Sequence, residues 1–181
     1  MRIMVFNKGV AAVFLVDVGR LGDVEDLLEK VRGLGAGCEV QIFNPEMVVD
    51  WTHLEAAYVA AVLSINSGAA KSRSLGYEFL CRLAATTQVS KAIETVGVRP
   101  GSGVVGVIVL GEDVEAVSSK ARKILEGLGA AEAELRPSWE KTEKIARAHS
   151  IQDMQLERIQ APNKMDAARL AIIQKISSSL L

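Results

Sequence analysis

The sequence predicts an α+β fold: a mixed, largely antiparallel sheet of four to five strands packed with about seven helices. Three observations carry that prediction. Short runs rich in Val, Ile and Phe, at Arg2–Phe6, Ala11–Val16, Glu39–Phe43 and Val104–Leu110, are bounded by turn-forming residues, as strands are. Longer stretches between and after them place apolar residues at helical spacing. The 181 residues, 49% hydrophobic and 24% charged, suit a single domain over the whole chain, and a chain of this size buries roughly 70% of its unfolded surface.

The elements follow in order. Asn7-Lys8-Gly9 joins the first two strands with residues that tolerate positive φ. Asp23 is placed to cap a helix through Arg32, with Val24, Leu27, Leu28 and Val31 as its inner stripe, and the glycines at 33, 35 and 37 end it. Glu39–Phe43 stops at Asn44-Pro45, where proline removes an amide. Trp51–Asn66 reads as a long, mostly buried helix whose alanines admit a close neighbour.

Lys71–Gly97 reads as two short helices in tandem. Ser74 caps the first, and Leu75, Phe79, Leu80 and Leu83 form its buried stripe. Glu78 and Arg82 make an i,i+4 pair on another face. Thr86 or Thr87 restarts a helix with Val89, Ala92, Ile93 and Val96 inward and Gln88, Lys91 and Thr95 outward, closed by Gly97 as a C′ residue. Arg99-Pro100-Gly101 suits a type II turn before Val104–Leu110. Glu112–Gly127 is amphipathic, Ala131–Leu135 suits an edge strand, and Ser138–His149 is a mostly polar helix. Pro162 interrupts the chain, and Asn163 starts a last helix to about Ser178. In it Met165, Ala168, Ile172 and Ile176 make one stripe, and Leu170 and Ile173 widen the apolar arc beyond it. That excess either wedges between two elements of the same domain or offers a strip to a partner.

Composition narrows the function classes. A formal net charge of −1 excludes a strongly basic tail gripping duplex nucleic acid. The charge is uneven: residues 1–50 hold five Lys/Arg and eight Asp/Glu, whereas residues 136–181 hold eight and five. Nucleic-acid contact is therefore expected only at a local patch. Cys38 and Cys81 stand apart without a CxxC, and no charged leader precedes a long apolar run, so the expectation is a cytoplasmic protein without a membrane span.

Motifs for chemistry fail on context. Gly101-Ser102-Gly103-Val104-Val105-Gly106 matches a dinucleotide string but runs into a strand where a helix is required. Gly68-Ala69-Ala70-Lys71-Ser72 lacks the glycine that a phosphate loop needs before its lysine. His53 and His149 are far apart in sequence, with no cysteine at ligand spacing, and His53 suits packing or capping near a helix start. No catalytic cluster, metal site or cofactor is expected.

The ordered set Ser74, Glu78-Phe79-Leu80, Gln88-Val89, Ala92-Ile93 and Gly97, with Asn44-Pro45-Glu46 ahead of the helix at Trp51, resembles the kinase-binding subunit of the KEOPS (EKC) complex, the PRPK-binding or TPRKB-like family. The likeness spans most of the chain and is strongest from Gln41 to Leu110. Where many members carry Gly-x-Arg-Gln, this chain has Ala85-Thr86-Thr87-Gln88, so a cation is missing at Thr87.

The resemblance implies a non-catalytic subunit. It would bind and stimulate a small atypical kinase/ATPase, contact the other KEOPS subunits indirectly, and help recruit tRNA by its single-stranded 3′ CCA tail for threonylcarbamoyl-adenosine formation. For the RNA end, Lys71, Arg73, Arg82 and Lys91 are the candidates for phosphates, and Tyr77 and Gln88 for bases. For the kinase, the candidates are Leu170, Ile173 and Leu180 of the last helix. The alternative from residues alone is a small α/β domain binding a metabolite near Asn44-Pro45-Glu46.

Overall fold

A computed structural model describes residues 1–70 and 72–178. Strands β1 (Arg2–Phe6) and β2 (Gly9–Asp17) form a hairpin in which Phe6 pairs with Gly9, and Asn7 takes the positive φ (52°) that the tight turn requires. β2 pairs with β4 (Val104–Gly111), and β4 with β3 (Glu39–Phe43), giving the order β1-β2-β4-β3. β5 (Ala131–Ala133) pairs with Leu15–Asp17 of β2, continuing the edge that β1 begins. Every ladder among the described residues is antiparallel, in the five-stranded α+β arrangement expected.

Strand alternation sorts the sheet into two faces, and helices cover both. Val10, Ala12, Phe14, Val16, Val40, Ile42 and the valines at 105, 107 and 109 lie in one core with α1 (Val24–Leu34) and α5 (Val114–Leu128). Met4, Ala11, Val13, Phe43, Ile108 and Leu110 lie in the other. That second core also takes in α2 (Trp51–Asn66), α3 (Leu75–Leu83), α4 (Val89–Val96), α6 (Trp139–Ala148) and α8 (Lys164–Ser178). Because both faces are covered, β2 and β4 read as continuous apolar runs despite being antiparallel.

Local chemistry sets the boundaries. Asp23, Asp50, Ser74, Asp113 and Ser138 each cap a helix by accepting from a first-turn amide. Gly101 takes φ of 86°, and the Ser102 amide donates to the Arg99 carbonyl (3.1 Å), as a type II turn demands. Gly106 lies beneath the Phe43 ring, which a Cβ would meet at 2.3 Å, and Phe43 in turn stands edge-to-face with Phe79 of α3, centroids 5.9 Å apart. That stack fastens α3 to the sheet.

Three details differ from the expectations. A short helix α7 (Asp153–Leu156) precedes Pro162, too brief to show a periodic stripe. The second helix of the tandem begins at Val89, not Thr86 or Thr87; Thr86 Oγ1 instead accepts from the Gln88 amide (3.3 Å) in a turn. Gly97 does end α4, but with φ of −71°, so it is no left-handed cap. Its Cβ would fall 2.3 Å from the Ile93 carbonyl oxygen, and close approach is what requires glycine there.

Candidate functional site

The tandem helices α3 and α4 carry three of the six RNA candidates, Tyr77, Arg82 and Lys91, and the structure divides them. Arg82 is the largest correction. Its side chain is buried, 2% exposed, against an equally buried Glu78 one turn earlier. Arg82 Nε donates to Glu78 Oε1 (2.8 Å), and Nη2 donates both to that oxygen and to Ser64 Oγ of α2 (2.8 Å). The i,i+4 pair is therefore an internal clamp between α3 and α2. A guanidinium so engaged is out of reach of a phosphate in solution, and the face that carries it is not solvated.

The N-terminus of α3 is likewise filled from within. Ser74 Oγ accepts from the Tyr77 amide (3.1 Å) and donates to Glu39 Oε1. The Glu39 carboxylate also accepts from the amides of Leu75 (3.1 Å) and Gly76 (2.9 Å). Gly76 makes this possible, because a Cβ there would fall 2.8 Å from Glu39 Oε1. The helix end that favours anions thus holds the protein's own carboxylate, leaving side chains as the means of holding phosphates. Sequence reasoning missed Glu39, since nothing local links the first residue of β3 to a helix 35 residues later.

The remaining candidates are accessible. Arg73, Gln88 and Lys91 are exposed, as is Thr87, and Tyr77 is half-buried. Lys71 lies outside the described residues. Ile93, expected to point inward, is 48% exposed. It lines a slot of about 90 Å³ together with Leu28, Ile42, Tyr77, Leu80 and Val98. The slot's lining is one aromatic ring, aliphatic walls and the Gln41 side chain, with no charged group. Asn44-Pro45-Glu46, by contrast, is spent on anchoring: Asn44 Oδ1 accepts from the Glu46 amide (3.0 Å), and the Asn44 amide donates to the Val96 carbonyl (2.8 Å).

On α8, Ala167, Ala168, Ala171, Ile172 and Ile176 are buried and Met165 is half-buried. Arg169 fixes the helix to the head of α2 through Asp50 (3.4 Å) and braces on Asp166 (3.1 Å). Leu170 is 42% exposed and Ile173 half-buried, so the arc overflows the packed stripe mainly at Leu170. Leu180 lies outside the described residues.

Beneath α8 and α6 lies a polar pair unforeseeable from sequence. His53 and His149 are both buried, their rings 6.0 Å apart. His53 Nδ1 accepts from the Val49 amide (3.2 Å), in the packing and capping role expected of it. Burial, joined by the neighbouring His149, pushes the His53 pKa down to about 3; burial, joined by Lys175, pushes His149 down to about 4. Among the described residues no three His, Cys, Asp or Glu side chains are grouped to hold a metal ion.

With this geometry in place, the comparison with known families is informative. The family model for the kinase binding protein CGI-121 matches residues 20–179. The chain belongs to the CGI-121 family. Membership makes it a kinase-binding accessory protein, and the β1–β2 hairpin lies ahead of the matched range. A search of curated proteins finds no match. No helix among the described residues is long and apolar enough to cross a membrane.

Proposed function

We propose that this CGI-121 family member is a non-catalytic, cytoplasmic subunit of KEOPS, a single domain gripped on two sides. One side binds and stimulates the small atypical kinase/ATPase. The other helps recruit tRNA through its single-stranded 3′ end for threonylcarbamoyl-adenosine formation. Family membership is the observation that carries the reading. The apolar overflow of α8 supports the first surface: Leu170 is 42% exposed on a helix already docked by its buried stripe. For the second, Arg73 and Lys91, with Lys71, hold phosphates, while Tyr77 and Gln88 meet bases near the Ile93 slot.

Both surfaces can be broken separately. Leu170→Asp with Ile173→Asp is expected to abolish capture by the kinase while the isolated protein keeps its thermal transition. Unfolding of the double variant would assign those residues to the core and remove the kinase surface from α8. For RNA, neutralising about three phosphates of a single strand gives log K against log salt a slope of roughly −2. A slope near zero, or equal affinity for tRNA lacking its terminal CCA, would defeat the second surface.

A further inference from the structure

The sheet has an edge that the chain does not guard. β1 pairs with β2 along one side, and among the described residues no strand pairs with its other side. Ladder alternation, counted from the Phe6–Gly9 pair that closes the two-residue turn, gives Arg2, Met4 and Phe6 the hydrogen bonds to β2. The amides and carbonyls of Ile3 and Val5 therefore point outward.

Their side chains are also the apolar ones that β1 leaves exposed, Ile3 at 36% and Val5 at 62%, although Ala12 and Val10 opposite them on β2 are buried. Sheet edges that remain solitary are usually protected by a lysine, a proline or a bulge. β1 has none of these. Its one charged side chain, Arg2, lies 5.7 Å over the Trp51 ring and 3.8 Å from Glu55, both on α2.

We propose that this edge joins a second copy of the chain, β1 to β1, antiparallel about a twofold axis at Met4, so that the two sheets run on as one. In that register Ile3 faces the partner's Val5, and Val5 faces the partner's Ile3. Both are hydrogen-bonded pairs that use the outward amides and carbonyls, and the four side chains close into one apolar cluster. Arg2 falls opposite the partner's Phe6, so no like charges oppose. The partner's hairpin tip, with the exposed Lys8, runs past Met1 toward β5 and the exposed acids Glu132 and Glu134. A strand from a different protein would use the same outward groups, but the self-complementary register favours a second copy, with Lys8 adding a cation beside two acids that already hold the Met1 ammonium and Arg136.

Sedimentation equilibrium of the full chain from about 1 to about 100 μM tests this. The mass is expected to rise with concentration toward twice 19.4 kDa. Val5→Lys, at a position already in water, is expected to keep the fold and remain monomeric throughout. Val5→Pro deletes an outward N–H that β2 does not use, and is expected to do the same with an unchanged circular dichroism spectrum. A wild-type chain that stays monomeric overturns the proposal, and so does a dimer that survives both substitutions.

Discussion

α3 and α4 are consecutive, similarly short and built from the same kinds of residue, yet one hides its charges and the other displays them. In α3 the Glu78–Arg82 pair is enclosed, held by Ser64 of α2. In α4 Lys91, Glu94 and even Ile93 face water. The difference lies in the neighbours. α3 packs between α2 and the end of β3, so nearly its whole circumference is covered; α4 touches α3 and the Pro45–Met47 turn and leaves a flank open. Sequence spacing tells which residues share a face, and only packing tells what that face meets.

The sharpest way to break this contrast is Arg82→Ala. Removing one partner strands a buried carboxylate and is expected to cost about 3–5 kcal/mol of stability, read by urea denaturation. A loss under about 1 kcal/mol would mean that the pair is solvated after all. Any accompanying loss of RNA binding is expected to track unfolding and to vanish at low temperature, where the variant is folded.

A second buried polar layer responds to acid. Both His53 and His149 have folded pKa values below the ordinary 6.5, so the unfolded chain takes up protons first as pH falls. Their contribution is complete above that value and declines below it, amounting to about 4 kcal/mol lost by pH 5. His53→Leu combined with His149→Leu is expected to flatten the stability profile between pH 7 and pH 5. An unchanged slope would mean that the imidazoles are not buried neutral.

The exposed helix gives the smallest effects. Lys91→Ala is expected to shift stability by less than about 0.5 kcal/mol while weakening RNA binding. Thr87→Arg, which restores the cation that the family pattern carries, is expected to tighten RNA binding by about threefold at low salt without moving the thermal transition. Opposite signs for these two substitutions would place the contact at α4 and the turn ahead of it; equal indifference would place it elsewhere.

How far the sequence could be read follows the same division. Strands showed themselves as valine-rich runs, and the caps Asp23 and Ser74 as polar residues ahead of apolar periods. The misreading of Ile93 has a simple cause: Ala92 and Ile93 are adjacent, hence about 100° apart on a helix, and only Ala92 and Val96 share the deep face. Arg82's burial needed Ser64, eighteen residues away, and the histidine layer needed helices from distant parts of the chain. On α8 the width of the arc was legible, but whether it wedged inside the domain or faced outward was not, and only packing shows Leu170 exposed and Ile173 half-buried.

The Glu39 carboxylate at the head of α3 has a consequence for change. A helix capped only by its own preceding residue shifts when the chain ahead of it is edited, but this one is held by Ser74 and also by the first residue of β3. The chain ahead of Ser74 is then only one of two supports for the helix's position, through Ser72 Oγ accepting from the Ser74 amide (3.1 Å). Insertions or new charges there can retune what the molecule presents at its rim while the frame behind it keeps its register.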